Sequence, residues 1–324
     1  MKRLFIALSC AVLSLSLAAQ DPILDLRPDK TVFFYTDGNQ YKGDVAKDAI
    51  ISATRENAGF KMAHSNGVSG PERFNPAGFL SNISDFARMD LYFPAKPNGE
   101  MIIVCPGGGY MFVSTLNEGQ YAAKWMLEQG VTVAVVKYRL PNRNRYVPLD
   151  DVQNAFRYCR AHAQQWGVKK IGVMGFSAGG HLAASAATLF VDEITRPDFA
   201  VLIYPVITLD RTLTHMGTRT FLLGADETIS EGDEFRFSLN RQVTTQTPPT
   251  FLALSSDDTT VPPANSILFY QACLANRVPA ELHIYPSGGH GWGFRDPSFV
   301  KDEIGLYRAE FFLSLSRFLK SLED

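Results

Sequence analysis

The strongest restriction on the fold comes from apolar segments too continuous to be half-exposed strands. Met101–Cys105, Val131–Lys137 and Thr250–Ser255 read MIIVC, VTVAVVK and TFLALS, with little alternation of polar and apolar residues. A strand with one wet face alternates; a strand covered on both faces does not. Arg88–Phe93, Lys170–Met174, Phe199–Tyr204 and Glu281–Tyr285 are further strand candidates. Between them apolar residues recur at helical spacing, as at Leu149, Val152, Phe156, Cys159, Ala163 and Trp166. The same spacing returns near the C-terminus at Ile304, Phe311, Leu315, Phe318 and Leu322. Strand alternating with helix predicts an α/β chain with a mostly parallel, doubly wound sheet flanked by helices. With 324 residues, 46% of them hydrophobic, one such domain over residues 20–324 can fill its core.

Two regions depart from this rhythm. Residues 21–82 are rich in turn formers and read as an N-terminal extension packed around the domain. Residues 205–249 separate two strands on the side of the strand C-termini, which makes them a lid-like insertion. Residues 1–19 read as a signal peptide: Lys2 and Arg3 precede an apolar run from Leu4 to Leu17, and Ala18-Ala19 offers small residues for cleavage. The run is short for a spanning helix, so export to a periplasmic or extracellular space is expected, without stable membrane insertion.

Net charge is −2, and −4 without Lys2 and Arg3, with no basic stripe, so a nucleic-acid partner is not expected. Outside residues 1–19 the cysteines are Cys105, Cys159 and Cys273, an odd set among apolar neighbours that reads as buried thiols rather than a disulfide framework. No His or Cys stands at metal-ligand spacing, and no nucleotide loop is complete, because Phe112 occupies the place of the last glycine of GxGxxG. The sequence therefore calls for no metal and no cofactor.

Four motifs each follow a strand candidate. Pro106-Gly107-Gly108-Gly109-Tyr110 comes first; consecutive glycines let backbone N–H groups face a cavity where a carbonyl oxygen becomes anionic. Gly175-Phe176-Ser177-Ala178-Gly179 has the pattern of a strand–turn–helix elbow that lifts a serine hydroxyl above the sheet. The N–H of Ala178 would join Gly108 and Gly109 as oxyanion donors. Ser256-Asp257-Asp258 supplies a carboxylate from either aspartate, and Gly288-Gly289-His290-Gly291-Trp292 supplies an imidazole. An unperturbed imidazole titrates near ~6.5, so it can act as a base at neutral pH. In this chemistry His290 takes the proton of Ser177, an aspartate holds the imidazole, and Ser177 carries an acyl group that water removes.

The order serine, aspartate, histidine, each after a strand, resembles the α/β-hydrolase fold. More narrowly, the chain resembles secreted bacterial esterases of the acetyl-xylan-esterase-like kind. The matching stretches are Cys105–Tyr110, Lys137–Pro141, Gly172–His181, Thr247–Thr250, Asp257-Asp258 through Val261-Pro262, and Gly288–Gly291. They lie within roughly residues 100–295, about two-thirds of the chain. The resemblance implies a serine esterase that removes acetyl or other short acyl groups from plant cell-wall polysaccharide such as xylan. It also selects Asp258, three residues before Val261-Pro262, as the acid. One departure is Pro106, which stands where lipase-type glycine loops carry histidine. The rival readings are a general carboxylesterase or feruloyl esterase and, in another class, a non-catalytic carbohydrate-binding protein on the same fold.

Around these motifs, Tyr110, His215 and Trp292 are candidate substrate contacts, Trp292 as a flat surface for a sugar ring. His181 suits packing or capping at the start of the helix after Ser177. Glu118 suits helix capping.

Overall fold

The computed structural model describes residues 26–34, 72–83, 87–225, 229–294 and 304–322. The expected signal peptide and much of the 21–82 extension lie outside the described residues. The central sheet has eight strands, numbered here in chain order with those of a smaller sheet. They are β1 (Lys30–Phe33), β4 (Arg88–Tyr92), β5 (Glu100–Cys105), β7 (Thr132–Lys137), β8 (Lys170–Phe176), β9 (Ala200–Ile203), β10 (Thr250–Ser255) and β11 (Ala280–Tyr285). Their spatial order is β1-β4-β7-β5-β8-β9-β10-β11. β4 runs antiparallel to both β1 and β7, and every other pairing is parallel. This is the α/β-hydrolase architecture that the apolar runs and the resemblance led us to expect.

The seven strand candidates all form, with ends that move by one or two residues. β8 continues to Phe176, past the expected Met174, because its last residues feed directly into the turn at Ser177. β5, β7 and β10 are buried along their whole length, which accounts for their lack of polar alternation.

Helices cover both faces. α2 (Val147–Trp166), α3 (Ser177–Thr188) and α6 (Ala264–Ala275) pack on one face through Val152, Phe156, Leu182, Ala183, Phe269 and Cys273. α1 (Tyr121–Glu128) and α7 (Arg308–Ser321) pack on the other through Ala122, Met126, Phe311, Leu315 and Phe318. Cys105, Cys159 and Cys273 are free and buried. α2 ends at Gly167, whose φ of 67° gives the left-handed stop that a β-carbon would strain. Among the described residues no helix is long and apolar enough to cross a membrane.

The N-terminal extension contributes more than loop. β1 extends the central sheet beside β4. β2 (Arg73–Phe74), β3 (Phe79–Ser81) and β6 (Val113–Ser114) make a three-stranded antiparallel sheet of their own. The insertion between β9 and β10 holds α4 (Met216–Leu223) and α5 (Glu231–Phe237).

Candidate active site

The loops after β5, β8, β10 and β11 meet at one rim of the sheet, as expected for the C-terminal ends of parallel strands. A cavity of about 340 Å³ opens there, lined by Gly108, Gly109, Ser177, Glu118, His215 and His290, with an apolar side formed by Phe79, Met111 and Phe112.

Ser177 stands in the sharp turn between β8 and α3 with φ 53°, in the left-handed region that a serine rarely enters. Two glycines make the turn possible. A β-carbon on Gly175 would lie 2.1 Å from the Gly179 carbonyl oxygen, and one on Gly179 would lie 2.1 Å from that of Cys105. Strand and helix therefore approach with no room for a side chain, and the hydroxyl is presented to the cavity.

The Ser177 hydroxyl lies 2.8 Å from His290 Nε2. Asp258 Oδ2 lies 2.7 Å from His290 Nδ1. A carboxylate only accepts, so Nδ1 carries the proton, and Nε2 offers its lone pair to the serine. Asp258 is held in turn: its Oδ1 accepts from the backbone N–H groups of Thr260 and Val261, each at 2.9 Å. Asp257 faces elsewhere, accepting from the Gly289 N–H at 2.9 Å and so bracing the loop that carries His290. The paired aspartates have separate partners.

Of the glycine loop, Gly107 donates its N–H to Glu118 Oε2 at 2.7 Å and is spent. Among the described residues no group accepts from the N–H of Gly108 or Gly109. Both glycines line the cavity, at φ 130° and 64°. The Ala178 N–H lies in the first turn of α3, where a helix leaves its donors unpaired. The loop is held from behind by Tyr138, whose hydroxyl donates to the Pro106 carbonyl at 2.7 Å.

His215 caps α4 by accepting from the Thr218 N–H at 3.2 Å, and it also lines the cavity. Burial, reinforced by the charge of His290, lowers its pKa. His181 is buried within α3, its Nε2 donating to the Phe237 carbonyl at 2.8 Å and its Nδ1 accepting from Tyr110 Oη at 3.0 Å. Burial drops its pKa to about 4, so it packs as a neutral ring.

Three expectations need correction. Tyr110 does not line the cavity: its φ of 60° turns the ring inward, where it is buried against Tyr138 and His181. Trp292 is not a sugar platform. Its ring is buried against Tyr204 and Phe311, each with centroids 4.9 Å apart, and its indole N–H donates to Ser255 at 3.1 Å. Glu118 is not a helix cap. It lies in a π-helical turn, Leu116–Gln120, just before α1, with its carboxylate buried beneath the glycine loop. Burial raises its pKa, against the pull of hydrogen bonds from Tyr204 and Gly107 and of the nearby His290. The contributions of Phe79, Met111 and Phe112 went unread in the sequence, since single apolar residues in irregular segments carry no signal of which surface they face.

The BD-FAE family profile matches residues 89–273. The acetylxylan esterase of Xylanibacter ruminicola is 38% identical over 222 residues, which are 67% of this chain and 46% of that protein. Endo-1,4-beta-xylanase B of Butyrivibrio fibrisolvens is 34% identical over 246 residues, 70% of this chain and 37% of that one. The chain thus spans less than half the length of these curated relatives. Among solved structures, the acetyl ester-xyloside bifunctional hydrolase of Caldicellulosiruptor lactoaceticus superposes with a TM-score of 0.63 at 33% identity, covering 73% of this chain and 88% of that one.

Proposed function

The chain belongs to the BD-FAE family, and from that premise and the geometry of its rim we propose that it is a serine esterase removing acetyl groups from xylan-type polysaccharide. The observation that carries the reading is the unbroken chain Asp258–His290–Ser177 beside the N–H groups of Gly108 and Gly109, which meet no acceptor among the described residues. In the reaction His290 Nε2 takes the Ser177 proton as the hydroxyl oxygen attacks the acyl carbon. The carbonyl oxygen becomes anionic and is held by the N–H groups of Gly108, Gly109 and Ala178. His290 then hands the proton to the sugar oxygen as the C–O bond breaks, leaving an acyl-serine. Water, deprotonated by the same imidazole, releases the acid and restores Ser177. Asp258 keeps Nδ1 protonated and stabilises the imidazolium formed at each stage.

The acetyl-xylan part rests on the likeness to an acetylxylan esterase and to an acetyl ester-xyloside hydrolase. With residues 1–19 as an export signal, the enzyme would meet its polymer outside the cytoplasm. A second reading, a feruloyl or general carboxylesterase, is favoured by the apolar side of the cavity at Phe79, Met111 and Phe112, which suits an aromatic acyl group.

Acetate release from acetylated xylan separates these readings, with Ser177→Ala as the blank. The wild type should release acetate, and the variant should lose about 10⁴-fold or more in turnover. Ser177-dependent hydrolysis of aryl or feruloyl esters without acetate release would move the substrate to the second reading. A Ser177 inert toward a fluorophosphonate would overturn the esterase.

A further inference from the structure

Glu118 is buried, lines the cavity and takes no part in the proton relay just described. Each of its carboxylate oxygens accepts a hydrogen bond. Gly107 N–H reaches Oε2 at 2.7 Å, and the Tyr204 hydroxyl reaches Oε1 at 2.9 Å. The Tyr204 oxygen in turn accepts from the Gly293 N–H at 2.9 Å. One carboxylate therefore ties the glycine loop after β5 to the segment that follows His290, through a tyrosine at the end of β9. The preceding residue makes a second tie in the same direction: the Asn117 side-chain amide donates to the Gly291 carbonyl at 2.9 Å. Consecutive residues of one π-helical turn thus hold both loops. π turns interrupt a helix at a cost and recur at functional sites.

We infer that Glu118 is a positioning residue of the reaction proposed above, fixing the distance between the oxyanion donors and His290; the inference rests on that esterase reading. Gly107 precedes the proposed donors, and its N–H, gripped by Glu118, fixes the Pro106–Gly107 peptide from which the Gly108 and Gly109 donors extend. Tyr204 also lies edge-on to His290, with ring centroids 4.9 Å apart, so the carboxylate steadies the imidazole from a second side. Glutamine has the same shape but one acceptor oxygen. In Glu118→Gln the amide oxygen can keep the Gly107 N–H, but the NH₂ meets Tyr204 only by donating to its oxygen, which leaves the Tyr204 proton without the carboxylate and weakens that arm of the tie.

The test compares wild type, Glu118→Gln and Tyr204→Phe in the full chain. It follows kcat and KM on 4-nitrophenyl acetate and amide hydrogen exchange over residues 106–110 and 291–294. Glu118→Gln should lower kcat about 10- to 100-fold with KM within about twofold, as a small misplacement of reacting groups does. Tyr204→Phe, which removes the contacts to both Glu118 and Gly293, should lower it at least as much, and the double variant should be no worse than Tyr204→Phe alone. Exchange should quicken in both segments while α2 is unaffected. Wild-type kcat in both Glu118→Gln and Tyr204→Phe, even with a lowered melting temperature, would overturn the inference. If the wild type shows no Ser177-dependent ester cleavage, the esterase reading falls and exchange alone decides: faster exchange in both segments keeps the tie, and unchanged exchange removes it. Should Glu118→Gln not fold, Tyr204→Phe carries the same readouts.

Discussion

At the floor of the cavity Gly175 and Gly179 leave no space for a β-carbon, Ser177 is held in a left-handed turn, and His181 is sealed inside α3. At the mouth, Phe79 comes from the small antiparallel sheet, His215 from the insertion, and Met111 is 50% exposed. The floor is set by backbone packed against backbone, in the centre of a sheet that is buried on both faces. The mouth is set by side chains on added elements and on the outer end of the glycine loop, which the sheet does not constrain. A site divided this way can exchange substrate preference without disturbing its chemistry. The division is open to attack at each of its points.

The largest expected effect separates two adjacent carboxylates. Asp258→Asn should lower turnover about 10⁴-fold, because an asparagine amide facing Nδ1 favours the wrong tautomer of His290. Asp257→Asn should cost no more than about tenfold, since it loosens only the Gly288 and Gly289 N–H contacts. Steady-state kinetics on an aryl acetate rank the pair, and the reverse ranking would move the acid to Asp257.

Next comes acid stability. His181 titrates at about 4 in the folded chain against ~6.5 unfolded. As pH falls below ~6.5 the unfolded chain takes up a proton that the native one refuses, so stability drops until pH nears 4. The loss over that window is about 3 kcal/mol from this residue. Thermal unfolding between pH 7 and pH 4.5 should show a steeper fall for the wild type than for His181→Gln, and equal slopes would place the acid sensitivity elsewhere. His215, half-buried at the mouth, should contribute a weaker slope of the same sign.

Gly179→Ala probes the floor by space alone. Its β-carbon would fall 2.1 Å from the Cys105 carbonyl oxygen, which is backbone and has nowhere to go. Destabilisation of about 1–3 kcal/mol is expected, read from denaturant unfolding.

The same division explains what the sequence discloses. The grouping of Ser177, Asp258 and His290 was readable because each follows a strand, and parallel strands bring their C-terminal loops to one rim. Chain order then does the work of distance. Tyr110 and Trp292 were misread because loop backbone, not strand register, aims them. Tyr110 turns inward at φ 60°, and Trp292 stands between Gly291 at φ 81° and Gly293 at φ 46°. Glu118 carries no local sign of its burial, since one of its partners, Tyr204, lies 86 positions away. The strands β2, β3 and β6 are two or three residues long, too short for any periodicity to show.

The smallest effect bears most directly on the mouth. Met111 lines the cavity through a flexible, half-exposed side chain, with its backbone N–H fixed to the Gly108 carbonyl at 3.0 Å. Met111→Ala removes the side chain and keeps that backbone bond, so the glycine loop retains its place. Stability should stay within about 0.5 kcal/mol, as for most exposed positions. On a small aryl acetate, which reaches little beyond the floor, kcat should be unchanged within about twofold. On acetylated xylan, the proposed substrate, a polymer lying across the mouth would lose contacts there, so KM should rise a few-fold at constant kcat, the signature of binding lost equally from ground and transition states. A fall in kcat on both substrates would mean that the mouth reaches the chemistry after all, and the separation between floor and mouth would fail at the loop they share.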